Sequence, residues 1–233
     1  MDFLGEIKLS GQFVDNIKRI VSDDFPEFVP QEQVSFQVQI DASEKITKEK
    51  KSKAFRFHNI TTNNSLTIES DAIIFDMKKY NTYNDFRRIV QIVIQTLETE
   101  DPSAKLSRIG LRYINQIFFE GNPFEWTEFI KEPLVSSLNF IEERNELARL
   151  MGVIELNRSE YLIRFQYGWF NSEFPNPIAK KEFALDYDCY SINETDISEV
   201  LNQIDLYHSE IKDLFKFSTK ETLQEMLEGE INA

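Results

Sequence analysis

Residues 108–117 read RIGLRYINQI, a stretch in which the side chains alternate between two faces. One face carries Ile109, Leu111, Tyr113 and Ile117. The other face carries Arg108, Gly110, Arg112 and Gln116. A period of two is typical of a β-strand that buries one side and leaves the other in water. The stretch therefore predicts an antiparallel sheet with one open face, and it raises the question of what two arginines do on that face.

Strands of this kind also occur in the first half of the chain. VSFQVQI (34–40) alternates between apolar and polar residues. The segment that follows, SEKITKEKKSK (43–53), is rich in lysine and indicates an exposed loop. AFRF (54–57) and LTIESDAIIFDM (66–77) flank the turn-like NITTNNS (59–65), which predicts a β-hairpin.

Two amphipathic helices frame these strands. Ser10 is a good N-cap for a helix that has Phe13 and Ile17 on its apolar side. A second helix is expected from about Asn84, because apolar residues there recur at the helical period. This stripe consists of Phe86, Ile89, Val90, Val93 and Leu97.

The second half repeats this order. PFEWTEFI (123–130) begins with proline, which is favoured at a first helical position, and predicts a short helix. RLMGVIEL (149–156) and YLIRFQYGW (161–169) flank a turn, and KEFALDYDCYS (181–191) supplies another strand. A long helix should follow, because Asp196 and Glu199 resemble a capping box. Its apolar stripe is Ile197, Val200, Leu201, Ile204, His208, Ile211 and Phe215.

The two halves can be aligned at a nearly constant offset of about 111 residues. The matched pairs are Ile7 with Ile117, Asp76 with Asp188 and Phe86 with Ile197. We therefore predict an α+β protein built from two β-α-β-β-β-α pseudo-repeats, residues 1–104 and 105–233, in one compact unit. The pseudo-repeats should form a long antiparallel sheet with helices on one face. This order resembles the duplicated, saddle-like architecture of the TATA-binding-protein fold, an analogy that carries no function with it.

Leu111, Arg112, Tyr113, Ile114 and Asn115 form an L-R-Y-I-N segment. With this segment, the chain resembles a sporadically distributed bacterial family of uncharacterised proteins of about this length. The resemblance extends to FALDYDCY (183–190) and to LFKFSTKETL (214–223). It implies a bacterial protein and assigns no activity and no catalytic residue.

Composition excludes several classes of function. The formal net charge of −14 disfavours non-specific binding to nucleic acid, whose phosphates it repels. The N-terminus lacks an apolar signal segment, and the longest apolar run falls far short of the roughly 20 residues that span a bilayer. We therefore expect a cytoplasmic protein that does not enter the membrane. The sequence leaves open whether the chain forms a homo-oligomer.

The residue types that usually carry chemistry are scarce. One cysteine, Cys189, and two histidines cannot build a His/Cys zinc site. His208 lies on an apolar stripe, and Cys189 lies on the buried face of a strand, so both are interpreted as core residues. Asn115 falls on the core side of its strand, where its amide should tie down a loop or bulge or, alternatively, line a pocket. No metal, cofactor or nucleophile–base pair can be named, so an enzyme is the less favoured interpretation.

The predicted open face is the remaining candidate site. Its candidate binding residues are Arg56, Arg108, Arg112 and Arg164. Asn115 is a further candidate binding residue, on the core side of its strand. One interpretation is a set of cross-strand ion pairs in which each arginine lies near an acid such as Asp186 or Asp188, so that Arg112→Ala would cost little stability. The other is a binding surface, with Gly110 and Gly168 leaving room for close approach.

Two hypotheses about function follow. The favoured one is a non-enzymatic binding or regulatory protein that presents its open sheet face or its acidic surface to a protein partner. The sporadic distribution of the resembling family fits an accessory role in bacterial defence or in a toxin–antitoxin-like pair. The alternative is a module, with hydrolysis left open, that binds a small anionic ligand or a nucleotide through the arginines of the sheet face.

Overall fold

A computed structural model describes residues 1–7, 9–40, 45–79 and 81–231, with the side chains of 32–40, 45–52 and 228–231 left out of the description. The described chain divides into two compact units. Unit 1 contains Met1–Ile109 and Glu194–Leu201, and unit 2 contains Gly110–Asn193 and the chain from Asn202 onward.

Helices and antiparallel strands alternate along both units. The α-helices are α1 (Gly11–Ile20), α2 (Tyr83–Glu100), α3 (Glu132–Val135), α4 (Val200–Ser218) and α5 (Glu221–Ile231), with short 3-10 turns at Ser136–Phe140, Arg144–Glu146 and Ile197–Glu199. The strands are β1 (Asp2–Phe3), β2 (Glu27–Ile40), β3 (Lys45–Asn59), β4 (Asn64–Glu69), β5 (Ile73–Asp76), β6 (Lys105–Arg108), β7 (Gly110–Phe119), β8 (Leu150–Asn157), β9 (Tyr161–Trp169), β10 (Lys181–Ser191) and β11 (Thr195–Asp196).

Within the described ranges these strands form three antiparallel sheets, in the orders β1-β6-β11, β2-β3-β4-β5 and β7-β10-β9-β8. The prediction of an α+β protein with antiparallel pairing is confirmed. The prediction of a single long sheet is not confirmed, because the predicted strand around 108–117 is interrupted at Ile109 and its two parts, β6 and β7, join different sheets.

The predicted N-cap of the first helix is confirmed, and the second helix of unit 1 is capped as well. Ser10 accepts a hydrogen bond from the backbone N–H of Phe13 at 3.0 Å and caps α1. Thr82 caps α2 by accepting from the N–H of Asp85 at 3.2 Å, and the apolar stripe of this helix is buried as expected except at Phe86, which is half-buried. These bonds satisfy N–H groups that have no partner inside the helix.

The lysine-rich segment 43–53 is not a loop where the structure describes it. From Lys45 onward the backbone belongs to β3, which pairs with β2 in the register Ile40↔Lys45 through Glu27↔His58. Residues 43 and 44 lie outside the described residues. The loop was predicted from the lysine side chains alone. The backbone N–H and C=O groups of the adjacent strand β2 need hydrogen-bond partners, and pairing with them makes this segment a strand.

The segment 123–130 forms turns instead of the predicted helix. The carbonyl oxygen of Pro123 accepts hydrogen bonds from the indole N–H groups of Trp126, at 2.8 Å, and Trp169, at 3.0 Å. In a helix that carbonyl would accept from the backbone N–H four residues later. Burial of Trp126 against Phe183, with ring centroids 5.1 Å apart, fixes this arrangement.

Asp196 does not form the predicted capping box. It belongs to β11, and its side chain makes no capping hydrogen bond. Its carboxylate lies 3.6 Å from the ammonium group of Lys105, across the sheet on β6. The long helix predicted after it is confirmed as a 3-10 turn that continues into α4.

The sheet of unit 2 has one face in the core, and α4 packs on that face. Tyr187 of the central strand β10 is fully buried and stacks on Phe165 of β9, with centroids 4.6 Å apart. Its hydroxyl group lies 2.6 Å from that of Ser218 at the end of α4. This burial raises the pKa of the Tyr187 phenol. The opposite face of the sheet carries the candidate site.

Gly168 of β9 should be essential for pairing with β8. Its φ of +139° is unfavourable for any other residue, and a Cβ atom there would collide with the carbonyl oxygen of Leu150. Gly168→Ala should lower the free energy of unfolding by at least about 2 kcal/mol in chemical denaturation. Gly121→Ala is the matched control, since Gly121 has φ +108° with open space around it and tests backbone strain alone. An equal effect of both changes would contradict the collision.

Candidate functional site

The face of the unit 2 sheet that lies away from α4 carries a row of alternating charges. The strand register places Arg112 opposite Asp188, Asp188 opposite Arg164, and Arg164 opposite Glu155. The row therefore crosses the sheet from β7 through β10 and β9 to β8. We call this surface, with the neighbouring positions on the same side of each strand, the open face.

Arg112 is held by a second acid, Asp186, which lies two residues before Asp188 on the same face of β10. Its Nε and an Nη atom donate to the two carboxylate oxygens of Asp186, at 2.8 and 2.6 Å. The side chain of Asp186 is only 12% exposed, whereas that of Arg112 is 50% exposed. The hydrogen bond to Asp186 raises the pKa of Arg112 above its ordinary value, so the guanidinium stays charged. The bidentate geometry fixes the plane of the guanidinium group.

The other charged groups of the open face make weaker contacts. The Nε atom of Arg164 lies 3.8 Å from a carboxylate oxygen of Glu155. The side-chain amide of Gln166 donates to Asp186 at 3.5 Å. The prediction that arginines on this face lie near acids is confirmed for Arg112, whose partner is one of the two aspartates that the sequence indicated.

Large apolar side chains also lie on the open face. Ile114 and Phe118 of β7 are 55% and 57% exposed, and Val153 of β8 is exposed as well. The register places Ile114 opposite Asp186, so an exposed aliphatic group lies beside the paired arginine. An exposed apolar side chain next to a fixed, bidentate arginine is typical of the centre of a protein–protein interface.

A cation–aromatic cluster lies where β8 begins and β9 ends. The guanidinium of Arg149 lies 4.2 Å from the ring centroid of Phe174 and 5.2 Å from that of Phe170. Its Nε donates to the carbonyl oxygen of Phe170 at 2.8 Å. Asn171 holds the loop by donating to the carbonyl oxygens of Ala148 and of Asn176. Both phenylalanines remain partly exposed on this ordered loop.

Two of the predicted arginines are placed elsewhere. Arg108 lies on β6 in unit 1, where its Nη1 atom is 4.0 Å from a carboxylate oxygen of Asp2. The prediction that it shares one strand face with Arg112 is wrong, because β6 ends at Arg108 and a separate strand, β7, begins after Ile109. Arg56 lies on β3 in unit 1, with a buried Nε atom that has no hydrogen-bond partner among the described residues.

Asn115 is half-buried on the core side of β7, as predicted. Its amide nitrogen donates to the carbonyl oxygen of Leu185 at 3.4 Å, on the neighbouring strand β10. The side chain therefore adds to the pairing of β7 with β10, where the sequence indicated a contact to a loop or bulge.

His208 and Cys189 lie on the core side, away from the open face. The Nδ1 atom of His208 lies 3.3 Å from the hydroxyl oxygen of Tyr113, and burial lowers the pKa of the imidazole. His208 is half-buried, whereas the preceding residue, Tyr207, is fully buried. Cys189 is fully buried, and burial raises the pKa of its thiol to about 12. Its interpretation as a core residue is confirmed.

Comparisons of the chain with protein-family models, with curated proteins and with solved structures found no match. None of the described helices is both long and apolar enough to cross a bilayer. In the described part of the chain, no three His, Cys, Asp or Glu side chains are grouped so that they could hold a metal ion. The interpretation of the site rests on its own geometry.

Sequence reasoning overlooked the apolar part of the open face. Ile114 and Phe118 have the same parity as Arg112 in the strand, so alternation alone places them on the polar side. That signal was present in the sequence. The cluster around Arg149 had no such signal, because its members come from a strand end and from a loop.

Cys189 should report the opening of unit 2. Because its thiol is buried with a raised pKa, a disulfide reagent should modify the native protein at least about a hundredfold more slowly than the denatured chain. The chain has one cysteine, so all of the reaction with the reagent comes from Cys189. Equal rates with and without denaturant would contradict the burial.

His208 should make stability fall in mild acid. Because burial lowers its pKa in the folded state, the unfolded chain binds more protons between that value and about 6.5. Its contribution is complete above about pH 6.5 and is lost as the pH falls through this window. His208→Gln should flatten the pH dependence of the unfolding free energy just below about pH 6.5. An NMR titration of the ring that gave a pKa above about 6.5 would contradict this account.

Proposed function

We propose that this chain is a non-enzymatic binding protein whose open face contacts a protein partner. The observation that carries the proposal is the exposed Ile114 beside the bidentate Arg112–Asp186 ion pair, with the exposed Phe118 further along the same face of β7. Exposed apolar groups gain free energy when a partner covers them, at about 25 cal/mol per Å². The fixed guanidinium adds directional hydrogen bonds without the entropic cost of ordering a free arginine.

The arginines support a protein partner over a small anionic ligand. Arg112 already donates two hydrogen bonds to Asp186, and Arg164 lies beside Glu155. A phosphate or nucleotide would have to compete with these carboxylates, in a chain whose formal net charge is −14. A protein surface can instead accept from the remaining guanidinium N–H groups while it covers the apolar side chains.

Several wider expectations remain proposals. Both halves have a strand, a helix, a run of antiparallel strands and a helix in this order, which supports the tandem pseudo-repeat. The run has four strands in the first half, β2 to β5, and three in the second, β8 to β10. The strand orders of the two four-stranded sheets differ here, because β7 pairs with β10 inside its sheet whereas β1 pairs with β6 in a separate sheet. An experimental structure that keeps this difference would refute the pseudo-repeat. Membership of the resembling bacterial family, a cytoplasmic location and an accessory role in defence are proposed with it, and the neighbouring genes in the source organism would test that role.

The open face should lose its partner when its apolar groups are removed. We expect Ile114→Ser with Phe118→Ser to weaken capture of a partner from the source organism by at least about tenfold, because central apolar contacts carry most of the binding free energy. Circular dichroism should show nearly unchanged folding, since both side chains lie in water.

The matched control for this experiment is Phe140→Ser, which removes an 88% exposed phenylalanine from the 3-10 turn at Ser136–Phe140, outside the strands that form the open face. A protein that quantitative mass spectrometry finds with the wild type and the control, but not with the double variant, supports the proposal. Equal capture by all three would contradict it.

A further inference from the structure

The core side of the unit 2 sheet contains an apolar groove at its outer edge. The volume of the groove is about 540 Å³, within the range of sites that hold small organic ligands. β8 is the last strand of this sheet, so the groove lies where the sheet ends. Its apolar walls are Leu134, Ile154, Leu156, Phe165, Leu214 and Phe217.

The groove leaves apolar surface in water. Phe217, near the end of α4, is 79% exposed, and Ile154 of β8 is exposed beside it in the lining. A phenylalanine in this position gains free energy when an apolar ligand covers it. The feature lies on the opposite side of β8 and β9 from the open face, so it is separate from the proposed partner surface.

Two lysines give the groove a positive charge. Lys131 and Lys216 both line it and are exposed. Neither ammonium group forms an ion pair with a carboxylate in the part of the chain that the structure describes. This is notable in a chain with 40 acidic and 26 basic residues. The groove thus attracts an anionic group, against the net charge of the chain.

The interior of the groove offers little to a polar ligand. Its one hydroxyl group, that of Ser218, already donates to the carbonyl oxygen of Leu214 at 2.8 Å and contacts the hydroxyl group of Tyr187 at 2.6 Å. A nucleotide or sugar would lose hydrogen bonds to water there without replacing them. The body of a suitable ligand is therefore aliphatic.

We propose that this groove binds an aliphatic carboxylate of the fatty-acid class. The hydrocarbon chain lies against the apolar walls, in contact with Phe165 and Phe217. The carboxylate lies towards Lys131 and Lys216, in water, where it retains hydration while gaining charge complementarity.

Calorimetry on the full chain with dodecanoate tests this proposal, with dodecanol and dodecyltrimethylammonium of equal chain length as comparators. We expect dodecanoate to bind with a dissociation constant in about the micromolar range. Dodecanol should bind about tenfold more weakly, and the cation more weakly still, because each exposed ion pair adds a small favourable free energy. Absence of dodecanoate binding, or equal binding of dodecanol, would overturn the proposal.

Two kinds of variant locate the site. Lys131→Gln with Lys216→Gln should bring dodecanoate binding down to the strength of dodecanol binding, and Leu156→Trp, which fills the groove, should remove both. Lys212→Gln is the matched control, since it removes an exposed lysine of α4 that does not line the groove. Circular dichroism checks that each variant folds.

Two outcomes would assign the groove differently. Dodecanoate binding that neither the double lysine change nor Leu156→Trp alters would place the fatty acid elsewhere and overturn the proposal. A dimer in sedimentation velocity that Phe217→Ser dissolves would make a second copy of the chain the occupant, which also overturns it.

Discussion

The bidentate ion pair between Arg112 and Asp186 is the contact on which the open face of unit 2 depends. Asp186 lies on the central strand of its sheet and is nearly buried, and a buried carboxylate without a cation is costly. Arg112 supplies the cation from the edge strand β7. A shift of one residue in the pairing of these strands would move Arg112 to the core side, so the ion pair and the buried residues favour the same register.

This contact also determines what the face can recognise. A guanidinium held by two hydrogen bonds has its remaining N–H groups fixed in direction. It has fewer N–H groups left for a phosphate than an unpaired arginine has. The removal of Arg112 should cost more stability than an exposed position suggests, because the nearly buried carboxylate of Asp186 would be left with Gln166 as a weak donor. Ile114 and Phe118 extend an apolar surface along β7 from the paired charges, which is the composition that protein partners cover.

Alternation in single strands predicted much of this surface, and contacts between distant segments explain the rest. It placed Arg112 on an open face and indicated Asp186 as its partner, because both follow from a period of two. Alternation also predicted one continuous strand across Ile109. A buried isoleucine fits the alternating pattern even though β6 ends before it and β7 begins after it. The loop predicted at 43–53 and the helix predicted at 123–130 were wrong for a related reason. Pairing with the backbone of β2 determines the first segment, and the buried indole of Trp126 determines the second. Neither contact can be inferred from the local sequence pattern.

A double-mutant cycle in chemical denaturation tests the central claim most directly. Arg112→Met keeps the apolar stem of the arginine, and Asp186→Asn keeps the shape of the carboxylate while removing its charge. The account predicts a coupling free energy of about 1–3 kcal/mol between the two changes, with each single variant less stable than the wild type. Additive effects within about 0.5 kcal/mol would contradict the claim that this ion pair organises the open face.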